Sequence, residues 1–174
     1  MKKILSRLTL VMVISMVLVG MTPVAASAKT IKLKPQSFVT KTKTANKASR
    51  VVNRGTTTVV MPSNGRGYLK FKATKKKTYA FSLSGLRTSR SYSNGYFYVM
   101  RKYGRSKKYI SMEKLLTQGG KTSALYIATK EYRYRDLKTS FLKSRYGKIV
   151  LRKNETVYLY FCFSAGDCLT LNIK

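Results

Sequence analysis

The chain has 174 residues, with 36 Lys or Arg against five Asp or Glu, and a formal net charge of +31 at neutral pH. It contains no His and no Trp. That composition argues against His general bases, His-ligated metals and paired-carboxylate catalysis.

Lys2, Lys3 and Arg7 form a positive n-region, and Leu8 to Val19 is apolar apart from Thr9 and Ser15. Pro23 breaks the run, and Ala26-Ser27-Ala28 supplies a small-x-small cleavage site. The run falls short of the ~20 residues a spanning helix needs. Residues 1–28 therefore read as a cleaved signal peptide, and the product as a secreted protein that is held at a cell envelope, if at all, by non-covalent contacts. About 146 residues remain, enough for one domain that hides roughly 68–70% of its unfolded surface.

Loss of Lys2, Lys3 and Arg7 lowers the charge from +31 to +28. Residues 29–112 carry 21 bases and no acid, while residues 113–174 carry 12 bases and all five acids. A chain so one-sided repels itself and suits a polyanionic partner. Outside the cell the candidates are teichoic acids, acidic or sulfated glycans, anionic membrane surfaces and extracellular DNA.

Residues 29–54 are rich in Lys, Thr, Ala and Ser. Ile31 and Leu33 alternate with Lys32 and Lys34, so a short strand is expected there. Lys41 to Arg50 reads as a solvated arm, which puts a basic strand and linker at 29–54 and the folded domain at 55–174.

From residue 56 the signal is period two. Thr56 to Met61 is a β-branched run closed by Pro62-Ser63-Asn64-Gly65, a turn cluster that tolerates positive φ. In Tyr68 to Ala73, Leu69, Phe71 and Ala73 share one face, with Tyr68, Lys70 and Lys72 on the other. After the Lys75-Lys76-Lys77 turn, Tyr79, Phe81 and Leu83 form a second apolar face. Asn94-Gly95 punctuates the chain before a strand at Tyr96 to Arg101. Met112 to Leu116 is compatible with one helical turn. Further strands are expected at Ala124 to Thr129, Gly147 to Arg152, Thr156 to Phe163 and Cys168 to Lys174. Short strands at this spacing predict an all-β fold, an antiparallel jelly-roll-like β-sandwich.

Cys162 and Cys168 flank a five-residue loop between the last two strands. Val157, Leu159 and Phe161 form one face, and Leu169, Leu171 and Ile173 form a matching one. If the two strands make a hairpin, Cys162 stands opposite Cys168 at the ~4.5–5.5 Å Cα spacing that a disulfide tolerates. An exported protein meets the redox condition, so a structural Cys162–Cys168 disulfide is expected, with a redox-active pair or two free thiols as the alternatives.

No catalytic constellation emerges. Ser111 to Lys114 and Ser140 to Lys143 match the Ser-x-x-Lys spacing of penicillin-binding proteins, but with 14 Ser and 22 Lys after residue 28 about two matches arise by chance. Glu113, Glu131 and Asp136 read as salt-bridge partners. No metal site and no small-molecule cofactor is expected. All 13 Tyr follow residue 28, often beside bases, as in Arg101-Lys102-Tyr103, Lys107-Lys108-Tyr109 and Tyr132-Arg133-Tyr134-Arg135. Such tyrosines either cover a sandwich face or stack sugars and nucleobases.

Two stretches carry a family resemblance: Gly67-Tyr68-Leu69-Lys70-Phe71-Lys72-Ala73 with Lys77-Thr78-Tyr79-Ala80-Phe81-Ser82-Leu83, and Lys148 to Leu159 with Leu169-Thr170-Leu171-Asn172-Ile173. Over roughly residues 65–174 the chain resembles bacterial pre-peptidase C-terminal domains. The resemblance implies a β-sandwich that serves as a secreted accessory or binding module. Asn154 stands where the family usually has a turn Gly. The acids through which some members bind Ca²⁺ near the domain start have no counterpart in residues 29–112, and the neighbouring peptidase is missing.

The expected function is a secreted, non-catalytic module that adsorbs to anionic polymers. Lys70, Lys72, Lys75, Lys76 and Lys77 form the expected charged surface, with Tyr158 and Tyr160 as stacking residues. The alternatives are an effector that acts on anionic membranes or inhibits a protein, and a Ser/Lys hydrolase.

Overall fold

The structure is a computed structural model that describes residues 29–130 and 144–174. Thirteen strands are described: β1 (Lys29–Lys32), β2 (Arg50–Val52), β3 (Gly55–Val60), β4 (Arg66–Lys72), β5 (Lys77–Arg87), β6 (Asn94–Tyr103), β7 (Tyr109–Met112), β8 (Leu115–Thr117), β9 (Gly120–Thr122), β10 (Leu125–Ala128), β11 (Tyr146–Leu151), β12 (Thr156–Cys162) and β13 (Cys168–Ile173). A short helix, α1 (Thr42–Ala48), lies between β1 and β2.

The strands form two sheets, in the orders β1-β3-β13-β5-β11-β8-β9 and β10-β6-β12-β4-β2, with β7 also paired to β6. The expected β-sandwich is thus present. Pairing is antiparallel except for β1 with β3 and β2 with β4, which are parallel. Both exceptions use the segment before residue 55, so residues expected as strand and linker supply one edge strand to each sheet.

Alternation explains the core. Leu69 and Phe71 of β4, Phe81 and Leu83 of β5, Phe97 and Val99 of β6, Leu159 and Phe161 of β12, and Leu169 and Leu171 of β13 meet in one buried cluster. In a strand every second side chain points to the same face, so these residues fill the space between the sheets. Four aromatic contacts tie the middle together, among them Phe71–Tyr79 at 5.1 Å and Phe97–Phe161 at 5.1 Å between ring centroids.

Several sequence expectations need correction. β12 and β13 do not form a hairpin. β12 pairs with β4 and β6 in one sheet, and β13 pairs with β3 and β5 in the other. An alternating apolar face serves a facing strand across the core as well as a hairpin neighbour, which is why the pattern did not distinguish them. The expected Cys162–Cys168 disulfide is therefore absent, and both cysteines are free. Cys162 stands between Arg66 and Tyr96, whereas Cys168 stands beside Val60 and Arg87. The crossover between the strands is held by Asp167, which is fully buried. Its carboxylate accepts hydrogen bonds from Ser93 Oγ and from the Ser164 amide, and its carbonyl accepts one from the Met61 amide at 2.7 Å.

Met112 to Leu116 is not helical; it spans the end of β7 and the start of β8. Asn94-Gly95 opens β6 rather than forming a turn. Gly95 is required there because a Cβ would lie 2.2 Å from the Phe163 ring. The turn at Asn154 does survive with Asn in place of Gly, at φ +65°, a left-handed conformation that Asn visits more readily than other L-residues.

Candidate functional site

The outer face of the second sheet is covered by chain from before residue 50. Tyr68, Tyr158 and Tyr160 point away from the main core and gather with Met100, Ile110 and Ala45 in a second buried cluster. Val39 and Tyr98 pack against it, and Phe38 meets Tyr160 edge-on at 5.6 Å. The Val39 amide donates to Tyr68 Oη at 3.0 Å. Sequence alternation placed Tyr158 and Tyr160 on the outer face, and they are on it. Their expected role as an exposed stacking platform does not survive, because they are only 1% and 4% exposed.

Where the cover ends, a groove of about 750 Å³ opens. Three separate parts of the chain supply its lysines. Lys41 and Lys43 come from the start of α1, Lys70 and Lys72 from the outer face of β4, and Lys102, Lys107 and Lys108 from the β6–β7 hairpin. Val51, Tyr109 and Tyr158 supply apolar surface, and no acidic residue lines it. Seven lysines around one concavity repel one another, which an anion relieves.

The hairpin is latched to the helix start. The Thr42 amide donates to the Lys108 carbonyl at 2.8 Å, Thr42 Oγ1 donates to the Lys107 carbonyl at 2.9 Å, and the Ile110 amide donates to the Thr40 carbonyl at 2.7 Å. Lys107 has φ +50°. For an L-residue this costs roughly 1–2 kcal/mol, and the two Thr42 bonds flanking it hold the strained turn in place. Lys70 Nζ donates to Asn46 Oδ1 at 3.0 Å, which fixes one ammonium group against α1.

A second groove of about 720 Å³ adjoins the first and shares Lys102, Lys107 and Thr156 with it. Lys76, Arg152 and Lys153 extend the basic surface there. Its one acid, Glu155, is already engaged: Arg101 Nε lies 2.7 Å from Glu155 Oε1, and the Arg152 amide donates to Glu155 Oε2 at 2.7 Å. Arg101 also pairs with Glu113 at 3.5 Å. The salt-bridge role expected for Glu113 is therefore observed. Glu131 and Asp136, the Ser140 to Lys143 pattern and the Tyr132 to Arg135 run lie outside the described residues.

Of the residues singled out from the sequence, Lys70, Lys72 and Tyr158 meet in the first groove and Lys76 lines the second. Lys75, on the β4–β5 turn, and Lys77, the first residue of β5, line neither; Lys77 Nζ sits 4.9 Å above the Tyr79 ring. Sequence reasoning missed Lys41, Lys43, Lys102, Lys107 and Lys108 as partners of Lys70. The signal that was available is the symmetry of Lys102-Tyr103-Gly104 and Lys107-Lys108-Tyr109 about a glycine turn. Among the described residues no three of His, Cys, Asp and Glu lie together as a metal site would require.

No protein-family model matches the sequence, and no curated protein matches it. Solved structures similar to this chain include the pre-peptidase C-terminal domain of collagenase from Bacillus anthracis, at 11% identity and a TM-score of 0.36, covering 72% of this chain and 94% of that one. Another is CorA, a surface-associated copper-binding protein from Methylomicrobium album BG8, at 6% identity and a TM-score of 0.36, covering 73% of this chain and 99% of that one. The first belongs to the family whose strand pattern the sequence resembles. At these identities and TM-scores the sandwich itself rests on the strand pairing described above.

Proposed function

We propose that this protein is a secreted, non-catalytic β-sandwich module that adsorbs to anionic polymers of a cell envelope or extracellular matrix. The observation that carries this reading is the convergence of seven lysines, without an acid, on one groove. Three chain segments far apart in sequence meet there, so the charge is gathered by the fold as well as by composition. The described acids support a non-catalytic role: Glu113 and Glu155 are tied to Arg101, and Asp167 is sealed in the crossover.

The test is binding of the exported, purified protein to polyphosphate, teichoic acid and acidic polysaccharide at low and high salt. Binding to polyanions should weaken steeply as salt rises, as expected when counterions are released. The double variant Lys70→Glu/Lys107→Glu should lose at least tenfold in affinity, since each reversal replaces attraction with repulsion inside the groove. Absence of polyanion binding by the native protein would end this reading. Leakage of anionic vesicles, with no polymer binding, would favour a membrane effector instead.

A further inference from the structure

Four of the described tyrosines are exposed, Tyr92 and Tyr146 at 40% each and Tyr103 and Tyr109 at 50% and 44%, and of these only Tyr103 and Tyr109 face each other across a strand pair. They are direct cross-strand partners at the turn end of the β6–β7 hairpin, the last pair before the connecting loop. Their ring centroids lie 6.0 Å apart with planes tilted by 37°. Tyr109 lines the basic groove, and Tyr103 follows its Lys102. The hairpin that carries the pair is the one held by Thr42, so the rings sit on a braced rim.

We propose that the ligand of the groove is an acidic polysaccharide, with sugar rings lying on the Tyr103–Tyr109 surface and acid groups meeting the lysines. This rests on the reading that the groove binds polyanions, and it names the class of polyanion. Every cation in the first groove is a lysine. An ammonium group is a compact point charge, without the planar fork by which arginine reads the geometry of phosphate or carboxylate. The lysines therefore register charge but not shape, and discrimination falls to the apolar rim. The face of an aromatic ring is electron-rich and suits the C–H face of a pyranose. Enclosing a flat nucleobase between two rings needs them parallel and about 7 Å apart, twice the contact distance. The tilted 6.0 Å pair cannot do that; it leaves both rings about half exposed, so that a sugar of the chain can lie against each.

The experiment compares polygalacturonate with linear polyphosphate of matched charge, and with single-stranded DNA, in about 150 mM salt. Tyr103→Ala/Tyr109→Ala should weaken polygalacturonate binding about tenfold and leave polyphosphate within twofold, while Tyr103→Phe/Tyr109→Phe keeps both. In the native protein, polygalacturonate but not polyphosphate should shield Tyr103 and Tyr109 from nitration, a readout that does not depend on any variant folding. Equal effects on both polymers, no shielding, or tighter binding of DNA lost in the same variant would overturn the proposal while the groove reading stands. Failure of the native protein to bind any of the three would overturn both.

Discussion

Gly65 shows how much one position carries. It sits at φ +67° in the turn after β3, and a Cβ there would lie 2.1 Å from the Phe163 carbonyl oxygen. The same carbonyl region is fixed, because the Phe163 amide donates to the Gly65 carbonyl at 2.9 Å. Gly65→Ala should therefore cost the left-handed penalty of about 1–2 kcal/mol plus a backbone clash, about 3 kcal/mol or more together. Gly104→Ala is the control: φ is +73°, but nothing lies within 4 Å of the added carbon, so the left-handed penalty alone, about 1–2 kcal/mol, is expected. Urea denaturation of both variants checks the contrast. Tyr68 makes a different kind of prediction. Burial pushes its hydroxyl up to about 12, against a smaller lowering by the Val39 amide. In the unfolded chain a tyrosine ionises near pH 10, so between about pH 10 and 12 the unfolded state loses its proton first and stability falls as pH rises. Below pH 10 the contribution is intact. The urea midpoint should drop across this window, and less steeply in Tyr68→Phe, a comparison that cancels the titration of the lysines.

At the scale of the element, α1 shows why a helix can have the sequence of a solvated arm. Its seven residues include only two buried ones, Ala45 and Ala48, and no side chain caps its start. A helix this short is not stable alone, and Lys, Thr and Asn around two alanines look like solvated chain. Packing supplies what propensity does not. Ala45 is fully buried against the outer tyrosine cluster, and its small side chain lets the helix lie close over Tyr158. Ala45→Lys should lift α1 from the sheet. The expected outcome is a loss of about 2–4 kcal/mol, fast hydrogen exchange limited to residues 38–48, and new reactivity of Tyr158 and Tyr160 toward nitration. A variant that melts as native with those tyrosines still protected would show that the cover does not depend on Ala45.

For the whole molecule, charge sets the terms. Residues 29–112 carry no acid, and the fold brings lysines from three parts of that stretch into one groove. Self-repulsion of this kind weakens as the Debye length shrinks from roughly 30 Å at 0.01 M to 3 Å at 1 M salt. The melting temperature should rise by several degrees over that range, since about 1 kcal/mol corresponds to 2–4 °C for a domain of this size. Lys70→Gln/Lys107→Gln should be more stable than the native protein at low salt and respond less to added salt. Thermal melts followed by circular dichroism check both, and a native melting point insensitive to salt would remove groove repulsion from the energetics.

The sequence by itself determined the all-β class, nine strands at positions within a few residues of those observed, and the inward set such as Leu69, Phe71, Phe81 and Leu171. These are local properties, because period-two alternation and turn chemistry act between neighbouring residues. Only the tertiary structure decided that β12 and β13 join opposite sheets, that Cys162 and Cys168 are parted, and that Tyr158 and Tyr160 are buried in a cluster with Ala45 of α1, Phe38 lying against Tyr160. An alternating strand buries its apolar face equally well beside a neighbour or across a core, and the pattern holds no term for the choice. The groove was illegible for the same reason. Its lysines at 41–43, 70–72 and 102–108 are brought together by strand pairing and the Thr42 latch, which depend on partners far along the chain.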